Sequence, residues 1–232
     1  MPVRSYGQFC ATAKALDVVG DRWTLLIIRE LLVLGPSRFT ELRRGLPGIA
    51  TNLLTTRLRE LEDAGLITRE EAPPPIATAL YRLTSRGAAL EPVLLELLRW
   101  GMPLMIEPMG SEVFRAEWAI YVARLLLHDN CPEEPASAIA FEAGGERWHV
   151  VAGDGALTWG TGSVDGVETT VTGDPQQIMG LLSGVVGLDS ALAAGVKVDG
   201  RMAALRRVLP SGHLTLTTGE DPASERAAAI AT

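Results

Sequence analysis

Between Thr51 and Ala64 the chain sets short hydrogen-bonding side chains and arginines at a helical spacing. The run TNLLTTRLRELEDA puts Leu53, Leu54, Leu58 and Leu61 on one face. Thr51, Asn52, Thr55, Thr56 and Arg59 fall on the other, with Arg57 near the edge. Hydroxyl and carboxamide groups match the donors and acceptors of base edges, and arginine matches phosphate oxygens. The same residues would also suit a solvated surface helix, so the flanking elements must decide.

No catalytic set accompanies this helix. His128, His149 and His213 are far apart and hold no metal-ligand spacing with Cys10 or Cys131. GGERWH and GDGALTWG read as turns, since neither leads into a Lys-Ser/Thr pair or a helix as a phosphate loop does. Glu133 and Glu134 sit between prolines and read as solvated charge. No Ser-His-Asp or Cys-His arrangement assembles. Neither enzymatic activity, a metal nor a cofactor is expected.

The elements that position the polar helix are legible on both sides. Residues 11–19 predict a short helix with Ala15, Leu16 and Val19 inward. Asp21 can cap a longer one over 22–34, where Trp23, Leu26, Ile27, Leu31 and Leu34 recur at core spacing. Gly35-Pro36 ends it, and Ser37 can cap a third helix, SRFTELRRGL, which contributes Arg38, Arg43 and Arg44. Leu46-Pro47-Gly48 forms the turn before the polar helix, and Gly65 stops that helix. Two strands follow, around Leu66–Arg69 and Tyr81–Leu83, joined by the Pro-rich EEAPPPIATA. Arg69 and Arg82 are the wing's phosphate contacts, whereas Glu70 and Glu71 repel phosphate. Two helices, a turn and a hairpin make a winged helix-turn-helix, which lays one helix in the DNA major groove. Thr84 or Ser85 then caps an apolar helix, SRGAALEPVLLELLRWGMPLM, broken near Pro92 and Pro103. Its wide apolar face calls for a partner, either the second domain or a second subunit.

The chain has 232 residues, 47% hydrophobic and 21% charged, enough for two ordinary soluble domains. The net charge of −7 is unevenly divided. Residues 1–108 carry 13 Arg/Lys and 12 Asp/Glu, and residues 109–232 carry 8 and 16. The first part is therefore balanced and the second acidic, so any basic patch must be local. No long charge-free apolar run predicts a membrane span, and the N-terminal residues lack a signal-peptide core, so a cytoplasmic protein is expected. Two cysteines do not make a disulfide scaffold.

Cys10, ALDVVGDRWTLLIIRELL, RFTELRRGLPGI, LLTTRLRELEDAGLI, YRLTSRG and LRWG together resemble the HxlR family of winged helix-turn-helix regulators. The resemblance covers the first ~105 residues. It implies a homodimer on double-stranded DNA, joined by the N-terminal and last helices, with Leu53 to Leu61 in the recognition helix. The family's capping Ser is replaced by Ala50, and Thr51 can take over the cap. Some members use the N-terminal cysteine as a redox sensor, which makes Cys10 a possible redox thiol. Only Lys14 lies near enough to activate it, which favours a buried, inert thiol.

After a hinge at 106–112, EVFRAEWAIYVARLLLHDN predicts one amphipathic helix, with Val113, Trp118, Tyr121, Val122 and Leu125 on one side. Strands at 138–141, 147–151, 156–159 and 167–172 read as an antiparallel meander. Asp174 and Pro175 open a helix. SALAAG, a strand VKVDG, a helix RMAALRRVL and a strand HLTLTT follow. The segments VTGDPQQIMGLLSG and ALAAGVKVDGRMAALRRVL resemble the sterol-carrier-protein-2-like fold over about residues 112–218. That fold implies an apolar cavity for a hydrophobic small molecule, lined by Trp118, Phe141, Trp148, Trp159, Ile178, Met179, Leu182, Leu188, Leu192 and Leu205. Taken one by one, the same residues read first as ordinary core. The expected class is α+β: a winged helix-turn-helix DNA-binding and dimerisation domain at 1–108, then an SCP2-like α/β sandwich with an apolar cavity at 109–220, then a flexible tail at 221–232. The expected function is a DNA-binding transcriptional regulator tuned by a hydrophobic effector. The alternatives are a regulator whose second domain only dimerises or recruits a protein, and a lipid carrier whose winged helix makes protein contacts.

Overall fold

The structure is a computed structural model and describes residues 5–71, 79–105, 110 and 112–210. The wing tip at 72–78, the hinge residues 106–109 and 111, the HLTLTT strand and the tail lie outside the described residues. The chain divides into two compact units, Met1–Arg99 and Trp100–Thr232.

The first unit begins with α1 (Ala11–Val19) and α2 (Thr24–Leu34). α1 buries only Ala13, while Ala15 and Leu16 are exposed and Val19 is half-buried. Among the described residues the expected inward face is therefore only partly covered, at Val19. Asp21 does not cap α2. The helix starts later, after Trp23 in the left-handed region at φ 81°, and the Asp21 carboxylate is engaged by Arg57. Ile27, Ile28 and Leu31 form the core face of α2, whereas Leu26 is exposed and Trp23 and Leu34 are half-buried.

Ser37 does not cap a helix either. With Arg38 it forms a short strand, β1 (Ser37–Arg38), and its hydroxyl donates to the Gly35 carbonyl. α3 (Phe39–Arg44) starts after it, and the Glu41 carboxylate accepts from the Arg38 N–H at 2.6 Å. α4 (Thr51–Asp63) is followed by β2 (Ile67–Glu71) and β3 (Ala79–Leu83). All three strands join in one sheet of order β1-β3-β2, antiparallel throughout. The last apolar segment is two helices, α5 (Ser85–Ala88) and α6 (Glu91–Gly101), and a 3-10 turn at Met102–Met105. Thr84 caps α5 by accepting from the Gly87 N–H.

In the second unit α7 (Ala116–Leu126) is shorter than expected and leaves Val113 outside it, exposed. β4 (Ser137–Ala143), β5 (Glu146–Gly153) and β6 (Ala156–Thr161) form the antiparallel meander. β7 (Val167–Thr172) departs from it, because it pairs with β4 in parallel rather than with β6. β8 (Lys197–Gly200) adds to its far side, giving the order β6-β5-β4-β7-β8. Alternating residues identified each strand, but not which strand it would meet. α8 (Pro175–Ser183) begins as expected, with the Asp174 carboxylate accepting from the Gln176 N–H at 2.9 Å and Pro175 in the first turn. α9 (Leu188–Ala193) and α10 (Met202–Val208) complete the unit, with α10 packed on β4 and β7.

A buried ion pair closes this unit. Arg207 on α10 meets Asp129, just past α7, through two bonds of 2.7 and 2.9 Å, with side chains 1% and 0% exposed. Arg207 also donates to the carbonyls of Pro135 and Glu134. The Asn130 carboxamide donates to those of Arg207 and Leu209. The guanidinium's hydrogen bonds hold the Asp129 carboxyl below its ordinary value of 3.8. The pair's contribution is therefore complete above about pH 4 and is lost as pH falls through the lower folded value. Asp129→Asn is expected to cost about 3 kcal/mol at pH 7, because it leaves a buried guanidinium uncompensated. Urea unfolding of the two proteins at pH 7 and pH 3 checks this. The gap should narrow at pH 3, and a gap of unchanged size would contradict the assignment.

Candidate nucleic-acid interface

α4 is the element that presents the polar face. Leu54, Leu58 and Leu61 are fully buried at helical spacing, and each withdraws roughly 1.5–3 kcal/mol of apolar surface from water. Leu53 is only half-buried. The helix ends in a two-bond stop: the Leu66 N–H donates to the Leu61 carbonyl and the Gly65 N–H to that of Glu62. Gly65 sits at φ +67°, a conformation that costs other residues about 1 kcal/mol or more. Two residues downstream of the hairpin hold the same end. The Thr84 hydroxyl donates to the Gly65 carbonyl at 2.7 Å, and Arg86 donates to that of Ala64 at 2.8 Å. The motif YRLTSRG thus clasps the end of α4, a role its composition did not announce.

The start of α4 is less well held. Ala50 has the extended backbone of an N-cap at φ −71° and ψ 141°, but has no side chain to bond the first turn. Thr51 lies inside the helix and does not take over the cap. Its carbonyl accepts from the Thr55 hydroxyl at 2.9 Å, and the Asn52 carbonyl accepts from that of Thr56 at 3.0 Å. Both hydroxyl protons are therefore committed to backbone, which leaves the oxygens as acceptors. The Asn52 carboxamide oxygen accepts from the Leu53 N–H, so its NH2 is the group left to donate outward. Thr51, Asn52, Thr56 and Arg59 are exposed and Thr55 is half-buried.

The arginines separate into groups. Arg43 and Arg59 are exposed, and neither makes an ion pair among the described residues. Arg38 and Arg44 are also exposed. On the wing, Arg69 pairs with Glu71 at 2.8 Å and Arg82 with Glu70 at 3.8 Å. Pairs this exposed are weak and can yield to a phosphate. Arg57 is different: it bonds Asp21 and Glu60 and is largely covered.

Cys10 is exposed, not buried, at the position before α1. Hydrogen bonds from the backbone of Ala13 and Thr12 draw its thiol below the ordinary 9.0.

The ten apolar residues of the second unit fall into two sets. Phe141, Trp148, Ile178, Leu182 and Leu205 are fully buried. Phe141 and Trp148 are cross-strand partners, stacked at 5.6 Å and 9°, with Phe114 tilted against Trp148 at 5.6 Å. Trp118, Trp159, Met179, Leu188 and Leu192 are half-buried. Trp159 lies opposite Val150, so it shares the sheet face of Trp148. Among the described residues there is no group of three or more metal-ligating side chains, and no helix long and apolar enough to cross a membrane.

The first unit is a winged helix-turn-helix by this geometry, with α3, a turn, α4 and a hairpin in order. Residues 18–108 match the HxlR-like helix-turn-helix family. The HTH-type transcriptional regulator sll1512 of Synechocystis is 36% identical over 43% of this chain and 73% of its own length. YvaP of Bacillus subtilis, an HTH-type transcriptional regulator, is 39% identical over 38% of this chain and 80% of its own. The reduced form of the transcriptional regulator YodB from B. subtilis is 34% identical, covers 44% of this chain and all of its own, and has a TM-score of 0.38. The chain belongs to the HxlR-like helix-turn-helix family of transcriptional regulators.

Because the backbone at Ala50 already has the N-cap conformation, Ala50→Ser is expected to stabilise the protein by about 1 kcal/mol. The midpoint of urea unfolding measures it, and an unchanged or lowered midpoint would contradict the capping geometry.

Proposed function

We propose that two copies of this chain bind a near-palindromic stretch of double-stranded DNA, each laying α4 in the major groove. Thr51, Asn52, Thr55, Thr56 and Arg59 meet base edges and the nearest phosphates. Arg38, Arg43 and Arg44 approach the backbone from the α3 side, and Arg69 and Arg82 from the wing. What carries this reading is the outer face of α4: exposed hydrogen-bonding groups and a guanidinium with no ion pair among the described residues, on a helix fixed by three buried leucines. The copies meet through α1 and α6, whose Leu16 and Leu97 are each 44% exposed and want apolar cover. Residues 109–220 hold a hydrophobic small molecule near the aromatic face of the sheet. It acts by favouring one spacing of the two α4 helices, since a ligand indifferent to the spacing would shift nothing.

Fluorescence anisotropy on a duplex selected by the protein from a random pool tests the interface. Arg59→Ala should weaken binding by roughly 1–3 kcal/mol and reduce the salt dependence by about one phosphate contact. Unchanged affinity and salt slope would remove α4 from the interface. Native mass spectrometry of the purified protein should show a bound hydrophobic molecule, and a ligand-free mass would remove the effector.

A further inference from the structure

Arg57 sits on the recognition helix but does not face outward with its neighbours. Its side chain is 14% exposed, and one nitrogen, Nη1, bonds both the Asp21 and the Glu60 carboxylates. Glu60 lies on α4 itself, so that bond fixes only the local side chain. Asp21 lies elsewhere, 36 residues earlier, in the corner between Gly20, which ends α1, and Trp23, which precedes α2 in a left-handed conformation. The charge of Arg57 is already met by two carboxylates, so it offers little to a phosphate.

We infer that the Asp21–Arg57 pair sets the pose of α4 against the α1–α2 corner, making both residues positioning groups for DNA recognition rather than DNA contacts. The inference rests on the proposed reading of α4 as the recognition helix. It adds a route by which α1, with Ala15 and Leu16 exposed, is tied to the helix that reads the groove. A change in how α1 meets a second copy moves Asp21, and Asp21 carries Arg57 with it.

The charges give the test a sign. Removing an acid from a DNA-binding unit strengthens attraction to phosphates when nothing else changes. Asp21→Asn should instead weaken binding to the selected duplex on the order of tenfold, a coupling typical of residues in one ion-pair network. Binding to an unrelated duplex should hold steady or tighten. Arg57→Gln should lose a similar factor on the selected duplex with the salt slope unchanged, and the double variant should lose no more than either single one. Thermal unfolding of each variant confirms that the fold persists. Asp21→Asn binding the selected duplex as well as the parent, together with a salt slope lowered by about one in Arg57→Gln, would make Arg57 a phosphate contact and overturn the inference. Failure of the parent protein to prefer any duplex would instead defeat the reading of α4.

Discussion

A carboxylate buried completely inside the first unit constrains everything around it. Glu30 on α2 has no exposed surface, and removing such a charge from water costs several kcal/mol unless it is met by partners. Arg29 meets it through Nε at 3.0 Å and Nη2 at 2.5 Å, and the same Nη2 reaches the Gly45 carbonyl at 3.4 Å. Gly45 ends α3, and a Cβ there would lie 1.8 Å from the Glu30 carboxylate. Only glycine leaves room for the acid. The end of α3 is thereby held against α2, and the turn that leads into α4 starts from a fixed point. Buried ion pairs of this kind add little net stability over apolar packing, so its value here is geometric.

The far end of α4 is fixed by other means, through the Gly65 stop, Thr84 and Arg86. The downstream end of α4 is therefore held by contacts from outside the helix and its middle by leucines, while its start follows a turn anchored at Gly45. Placement of the polar face is a property of the whole unit. That matters because the first 108 residues carry nearly balanced charge, and bulk attraction to phosphate can contribute little.

What could be read from the sequence was mostly local. The leucine spacing of α4, the Gly65 stop, the Asp174-Pro175 helix start and the Thr84 cap each depend on residues within one or two turns, and each was legible. Distant pairings were not. Arg207 sits in a run, RRVL, that looks like a solvated helix end, yet its partner Asp129 lies 78 residues away. Asp21 looked like a cap because its other partner, Arg57, could not be seen. The apolar stripe of α1 was real, but periodicity identifies a face and not what covers it. In the same way, alternation located β7 without revealing its parallel pairing with β4, and β1 was too short to carry a pattern at all.

The central claim is that α4 enters the major groove in two places on one duplex. Methylation of guanine N7, which lies in that groove, tests it directly by interference with binding. Two clusters of interfering guanines, about one helical turn apart on a duplex selected by the protein, are the predicted result. A single cluster, or binding indifferent to methylation at every guanine, would contradict it.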